Sequence, residues 1–166
     1  MARGFPPPMM TTPVPLRIRN ARPEDAAVVA EFNARLAAET EGRTLEPAVL
    51  AEGVRQAIAD PAKALYWLAE VDGRVVGQLM LTLEWSDWRN GWFWWIQSVY
   101  VHPDWRGRGV FTQLYRWVET EARRRADVCG LRLYMENDNA RARRTYERLG
   151  LRGTHYQVFE TEFGAR

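Results

Sequence analysis

The sequence predicts a single α/β domain in which helices cover a central β-sheet. Two periodicities alternate along the chain: apolar residues two apart, as in strands, and apolar residues three or four apart, as in amphipathic helices. The resulting order, β-α-α-β-β-β-α-β-α-β, indicates one layered sheet. The chain has 166 residues, of which 46% are hydrophobic and 27% charged, as is typical of one globular domain.

Composition and charge exclude several classes of protein. The formal net charge is only +2, so we expect no nucleic-acid partner. No apolar run reaches about 18 residues, so we expect no membrane span. Cys129 is the single cysteine, which allows no intrachain disulfide and suits the cytoplasm, and we expect it to be buried. Residues 1–14 contain four prolines and are predicted to form a mobile tail before a domain at 15–166.

The first half of the chain is predicted to contain two helices and three strands. Residues 16–19 alternate apolar and basic side chains, as a short strand does. Pro23, Glu24 and Asp25 mark a helix start, because the first turn lacks partners for its N–H groups and favours negative charge. The second predicted helix and the next two strands cover residues 47–60, 65–71 and 75–83. Asp72-Gly73 joins those strands as a hairpin turn, since both residues tolerate positive φ.

The second half is predicted to be a loop followed by alternating strands and helices. A polar and aromatic loop at 85–91 precedes a strand rich in aromatic and β-branched residues. Gly150 is predicted to end the last helix, because glycine accepts the left-handed conformation found there. The predicted strands of this half are 92–101, 131–135 and 156–162, and its predicted helices are 107–125 and 139–149.

Residues 99–112 form the most informative stretch. A strand and a short turn lead into Arg-Gly-Arg-Gly and an amphipathic helix. Glycine lets backbone approach a ligand closely, and free N–H groups at a helix start attract anions. Thr112 adds a hydroxyl donor. The segment lacks the Gly-Lys-Ser/Thr ending of a P-loop and the three glycines of a Rossmann loop. It therefore predicts a pyrophosphate cradle, with a plain tight turn as the alternative.

Two segments resemble the GCN5-related N-acetyltransferase (GNAT) family. Residues 104–109 are similar to its Gln/Arg-x-x-Gly-x-Gly/Ala loop, although Asp104 departs from the first position. Residues 139–151 are similar to its Asn-x-x-Ala-x-x-x-Tyr-x-x-x-Gly-Phe segment, with Leu151 in place of phenylalanine. The element order agrees over nearly the whole chain. The resemblance implies a GNAT fold, with a mixed, mostly antiparallel sheet and helices on both faces.

The resemblance also implies the activity and the cofactor site. Family members transfer an acetyl group from acetyl-CoA to an amine, and no metal is expected. The amine would attack directly in a ternary complex, since Cys129 lies outside the predicted site and no other nucleophile is evident. Backbone of the strand and loop would bind the cofactor, and Asn139 its pantetheine arm. The implied cofactor-binding residues are Val99, Tyr100, Val101, Arg106, Gly107, Arg108, Gly109, Val110, Phe111, Thr112, Asn139 and Tyr146.

Two residues are implied in catalysis. Tyr146 would donate a proton or hydrogen bond to the departing thiolate, which a phenol can do because it is protonated at neutral pH. Many relatives place a glutamate where this chain has Gln97, and an amide can only orient the amine or a water. The base therefore stays open: Glu39, Glu41, Glu84 or Asp87 could act through water, or the amine arrives neutral and the enzyme positions it.

The acceptor site is the least defined part of the prediction. Five of the eight tryptophans fall between Trp85 and Trp95, so an aromatic wall beside acids is predicted, suited to a cationic or aromatic amine. The alternative is an aromatic core with a homodimer contact. The candidate substrate residues are Glu39, Glu41, Glu84, Trp85, Trp95 and His155.

The favoured function is therefore N-acetylation of a small amine. A protein N-terminal or lysine acetyltransferase is the alternative enzyme. The alternative outside enzymes is an acyl-CoA-binding sensor or interaction module.

Overall fold

The computed structural model describes residues 15–161 and residue 163, so the tail predicted at 1–14 lies outside the described residues. The chain forms two units, the first ending at Leu133 and the second beginning at Tyr134.

The described part of the first unit contains five strands and three α-helices. Short 3-10 turns precede α1, connect β3 to β4 and follow β4. The strands are β1 (Arg17–Asn20), β2 (Leu65–Val71), β3 (Arg74–Ser86), β4 (Gly91–Val101) and β5 (Val128–Arg132). The helices are α1 (Ala26–Glu41), α2 (Pro47–Ala59) and α3 (Val110–Arg124). The second unit contains α4 (Ala140–Arg148).

One five-stranded sheet, in the order β1-β2-β3-β4-β5, organises the first unit. The four strands from β1 to β4 pair antiparallel, and β5 pairs parallel to β4. Helix α1 packs on one face, where the rings of Phe32 and Tyr100 are 4.9 Å apart. Helix α3 covers the other face, and a Cβ at Gly77 would lie 2.9 Å from Val110 Cγ1. The predicted α/β class, a mixed and mostly antiparallel sheet with helices on both faces, is confirmed.

The β2–β3 connection forms as predicted. Asp72 and Gly73 both have positive φ, at 48° and 77°, which is the backbone of a two-residue hairpin turn. This turn sets the register of β2 against β3 and brings β3 into the centre of the sheet.

Three predictions about this chain are wrong. Residues 156–161 form no strand: Tyr156 and Val158 alternate as strand residues do, but both are over 70% exposed, and alternation alone supplies no partner strand. Strand β5 runs from Val128 to Arg132 rather than over 131–135, because its pairing with β4 starts at Trp92 and ends at Trp95. Cys129, expected to be buried, is exposed.

A nearly buried ion cluster joins the start of α1 to the sheet. The Arg19 guanidinium donates to Asp25 at 2.7 and 3.0 Å and to Glu70 at 2.7 Å. Asp25 also accepts from the Arg22 backbone N–H, as an N-terminal acid does. The hydrogen bond from Arg19 lowers the pKa of Asp25 below its usual range. Asp25 is only 6% exposed, so water screens this cluster weakly.

No helix among the described residues is long and apolar enough to cross a membrane.

Asp25→Asn should lower the free energy of unfolding by about 3 kcal/mol at pH 7, because it leaves the Arg19 charge partly buried with one carboxylate fewer. Since the folded-state pKa of Asp25 is lowered, its contribution is present above pH 4 and is lost as the pH falls further. The difference between wild type and variant in the free energy of unfolding, measured by urea titration, should therefore shrink below about pH 4. Glu24→Gln, in an exposed pair with Arg22, is the control and should change stability by less than about 0.5 kcal/mol. An equal effect of both variants would contradict this assignment.

Candidate active site

Strands β4 and β5 separate partway along β4. Their pairing ends at Trp95 and Arg132, where β5 stops, while β4 continues to Val101. Beyond Trp95, the edge of β4 that faces away from β3 has no paired strand in the described part of the chain. The first unit thus presents an open fork with one exposed strand edge.

The backbone of the open edge is oriented by its hydrogen bonds to β3. The His102 N–H donates to Val76 O at 2.9 Å, so His102 and Tyr100 direct their backbone groups towards β3. Because these groups alternate along a strand, Val99 and Val101 direct theirs to the open edge. Arg106 Nε reaches Val101 O from that side at 2.9 Å. The backbone groups of Val99 and Val101, two residues of the predicted cofactor site, therefore face the open edge.

A β-bulge lies at the fork. Gln78 pairs with Tyr100 and Met80 with Gln97, so two β4 residues, Ser98 and Val99, oppose a single β3 residue. Ser98 has φ of +47°, a left-handed conformation that is uncommon for a residue with a Cβ. The bulge turns β4 at the point where it leaves β5.

A buried polar network supports this bulge from the α1 side of the sheet. The Gln78 side chain is fully buried, and its Nε2 donates to Asn33 Oδ1 at 2.7 Å and to Ser98 O at 3.3 Å. Asn33 Nδ2 donates in turn to the Tyr66 hydroxyl at 3.0 Å. Buried polar groups are costly unless paired, so the two bonds from Gln78 Nε2 favour one conformation of the bulge, whereas Gln78 Oε1 is buried without a hydrogen-bond partner among the described residues. Sequence reasoning missed these residues. The signal that the sequence offers is a single glutamine, Gln78, among apolar neighbours in its strand.

The predicted phosphate loop leads from β4 into α3. Gly107 and Gly109 have φ of +75° and +78°, and a Cβ built at either would meet no atom within 4 Å. The N-cap of α3 is Gly109, which has no side chain with which to cap the helix. Val110 anchors the helix start in the core, whereas Thr112 is exposed. The loop backbone borders open space, as a cradle for an anion must.

The two loop arginines have different surroundings. Arg106 Nη2 donates to Glu39 Oε2 at 2.6 Å, and its guanidinium carbon lies 5.3 Å from the Tyr100 ring centre. Arg108 stacks over Trp105 at 5.1 Å and forms no ion pair within the described ranges. Arg108 is therefore the loop cation whose charge is not already matched by a carboxylate.

Glu39 is brought to this loop by the end of α1. Its carboxylate accepts from Arg106 and, at 2.9 Å, from the Tyr100 hydroxyl. The hydrogen bond from Arg106, aided by that from Tyr100, lowers the pKa of Glu39. Burial, and then the neighbouring carboxylate, raises the pKa of Tyr100. Glu39 is thus a weak base and a strong structural acceptor.

Gln97 lies beside the fork on the α1 face of the sheet. Its Nε2 donates to Thr82 Oγ1 on the neighbouring strand. Trp95, two residues earlier on the same face, donates from Nε1 to Glu84. The structure therefore brings together Gln97, Trp95 and Glu84 from the predicted set.

Two other predicted substrate residues of the first unit lie apart from that group, and a third belongs to the second unit. Trp85 belongs to β3 and packs against Trp92 on the α3 face, with ring centres 5.0 Å apart. Glu41 ends α1, where it is exposed and pairs with Arg43 at 3.5 Å. His155, in the second unit, is exposed and contacts the Tyr156 ring.

The second unit holds the Asn139–Leu151 motif on α4. Asn139 caps the helix by accepting from Ala142 N–H at 2.9 Å. Gly150 has φ of +95° just after the helix, as predicted. Tyr146 lies seven residues after Asn139, two turns along α4. Burial raises the pKa of Tyr146 above its ordinary value, so the phenol keeps its proton at neutral pH.

Comparison with known proteins identifies the class to which this fold and loop belong. The model of the acetyltransferase (GNAT) family matches residues 20–151, and the chain belongs to that family. A solved structure of a possible acetyltransferase from Clostridium difficile 630 is 41% identical, with a TM-score of 0.85, over 90% of this chain and 99% of that one.

Two further proteins are similar to this chain. A curated protein of Methanocaldococcus jannaschii, named an uncharacterized N-acetyltransferase, is 36% identical over 87 residues, so the match spans about half (52%) of each chain. A predicted acetyltransferase of Clostridium acetobutylicum, solved with acetyl-CoA, shares the fold at 18% identity and a TM-score of 0.72, covering 88% and 96% of the two chains. The resemblance drawn from the two sequence motifs is confirmed.

Gln78→Met should lower the free energy of unfolding by about 2 kcal/mol, because it removes the donor from two part-buried acceptors, Asn33 Oδ1 and Ser98 O. Hydrogen exchange should accelerate at the amides of residues 98–101, where the bulge loses its support. Gln56→Met, an exposed glutamine on α2, is the control and should alter neither quantity. Unchanged exchange at 98–101 in a destabilised Gln78→Met protein would show that the network does not hold the bulge.

Proposed function

We propose that the chain is an acetyl-CoA-dependent N-acetyltransferase acting on a small amine, with residues 15–166 as its catalytic domain and the cytoplasm as its location. One observation carries the proposal: the open edge of β4 leads directly into a glycine loop whose backbone borders free space. An extended arm that ends in a pyrophosphate fits such a surface.

The chemistry of the donor set matches acetyl-CoA. Backbone of Val99 and Val101 is oriented to pair with amide groups of the pantetheine arm. The N–H groups of residues 107–112 and the Thr112 hydroxyl would hold the pyrophosphate, and Arg108 would balance its charge. When bound, the cofactor supplies an acetyl group activated as a thioester.

The proposed reaction forms one N–C bond and breaks one C–S bond. The amine nitrogen attacks the acetyl carbon, the thiolate leaves with the electron pair of the C–S bond, and the nitrogen gives up one proton to solvent. We assign the protonation of the thiolate to the Tyr146 hydroxyl, on the basis of its motif and because its raised pKa keeps the phenol protonated at neutral pH. The resulting tyrosinate then regains a proton from solvent, which balances the proton that the amine gives up.

We propose that no side chain of the first unit acts as a dedicated base. Gln97 has no basic group, and Arg106 lowers the pKa of Glu39. Glu84 accepts from both Arg132 and Trp95. The acceptor would then bind as the neutral amine, and Gln97 would orient it.

Gly107→Ala should weaken acetyl-CoA binding at least tenfold, because the added methyl projects into the free space before the loop amides. Isothermal titration calorimetry measures this directly. Gly73→Ala is the matched control: Gly73 has φ of +77° and equally open surroundings, but lies in the β2–β3 turn. Both variants should lose about 1 kcal/mol of stability through backbone strain. Equal acetyl-CoA affinity in the two variants would refute the cradle.

Thiol release from acetyl-CoA across a panel of small amines and short peptides tests the activity itself. Release that depends on one acceptor class supports the enzyme, whereas binding without release on any acceptor favours the sensor alternative.

Tyr146→Phe should lower kcat about 100-fold and change the acetyl-CoA dissociation constant less than twofold. Tyr156→Phe, an exposed tyrosine of the same unit, is the control. Lost binding with unchanged kcat would contradict the role of Tyr146 as a proton donor.

A further inference from the structure

Two guanidinium groups flank Phe93 on the α1 face of the sheet. The Arg132 guanidinium carbon lies 3.6 Å from the Phe93 ring centre, and that of Arg89 lies 5.1 Å from it. Glu84 pairs with Arg132 at 2.8 Å, whereas Arg89 forms no ion pair within the described residues. This cluster of Phe93, Arg89, Arg132 and Glu84 therefore carries one excess positive charge. Sequence analysis did not single out either arginine.

Arg132 is held in a fixed orientation. It stacks on Phe93, and its Nη1 donates to Glu84, whose other oxygen accepts from Trp95 Nε1. Its side chain is 32% exposed, so part of the guanidinium reaches solvent. A guanidinium has five N–H donors, and the described structure engages one of them. A planar, fixed cation with free donors is suited to a carboxylate.

The cluster lies on the same face of the sheet as Gln97. It is on the side of the fork where β4 and β5 are still paired. Arg132 pairs with Trp95 at the last position before β5 ends. Strand residues rise about 3.3 Å each, so Gln97 is about 7 Å from Trp95 and about 13 Å from Phe93 along β4. The Arg132 guanidinium lies 5.8 Å from the Trp95 ring centre and nearer to Phe93. It is therefore about 10 Å along the strand from Gln97.

We infer that the acceptor is an amine carrying a carboxylate about 10 Å from its reacting nitrogen. Arg132 binds that carboxylate, Arg89 adds charge, and the amine lies towards Gln97. This inference rests on the proposed acetyltransferase activity and specifies its substrate class. The alternative is that the Arg132–Glu84 pair only fastens β5 to β3.

Triglycine and triglycinamide are matched probes for this site. An extended tripeptide spans about 10 Å, and the two probes differ only in the terminal carboxylate. With wild type, kcat/KM for thiol release should be at least tenfold higher with triglycine. Arg132→Gln should reduce this preference to about twofold or less, Arg132→Lys should restore part of it, and Arg89→Gln should lower it partially. Arg125→Gln is the control, because Arg125 stacks on Trp94 at the opposite face and pairs with Asp127.

Calorimetric binding of the two probes separates this inference from the activity on which it rests. Triglycine should bind wild type at least tenfold more tightly than triglycinamide, and Arg132→Gln should abolish the difference. If no acceptor releases thiol but this charge-dependent binding is found, the proposed catalysis fails and the carboxylate site stands. Equal binding of the two probes, or no binding of either, overturns the inference. So does an equal loss of kcat/KM for both probes in Arg132→Gln and Arg132→Lys, which would assign Arg132 to fastening the sheet.

Discussion

The separation of β4 from β5 is the constraint on which the rest of the site depends. A strand that loses its neighbour exposes N–H and C=O groups, and such groups require another partner. The bulge at Ser98 turns β4 where the separation begins, and Gln78 holds that bulge from within the core. Arg106 contacts the open edge from the side of the loop. In the proposed function, an extended ligand would pair with the backbone groups that this open edge exposes.

Charge is arranged in two groups along the α1 face. Near the loop, Glu39 is matched by Arg106, and the Tyr100 hydroxyl completes its hydrogen bonding. Behind the fork, Glu84 is shared between Arg132 and Trp95, with Arg89 left in excess. Gln97 lies between the two groups and carries no charge. In the proposed reaction, the neutral amine would react beside the uncharged Gln97. An anionic group of the same substrate would bind the Arg132 guanidinium.

Sequence reasoning was most successful where local chemistry decides the structure. The Asp72-Gly73 turn, the glycine loop and Gly150 each require a backbone conformation that few residues accept, so their positions could be predicted. It failed where long-range pairing decides. Residues 156–161 alternate as a strand does but form no strand in the described part of the chain, and the start of β5 is set by Trp92 across the sheet. The roles of Arg132 and Gln78 could not be predicted from the sequence, because their hydrogen-bond partners, Glu84 and Asn33, are distant in sequence.

Hydrogen–deuterium exchange with and without acetyl-CoA tests most directly whether the open edge and the glycine loop form one cofactor surface. The expected result is protection of the backbone amides of residues 99–101 and 107–112, with no change at the Asp72-Gly73 turn. Saturating acetyl-CoA that leaves residues 99–112 unprotected, or protects the loop without the strand edge, would contradict that surface.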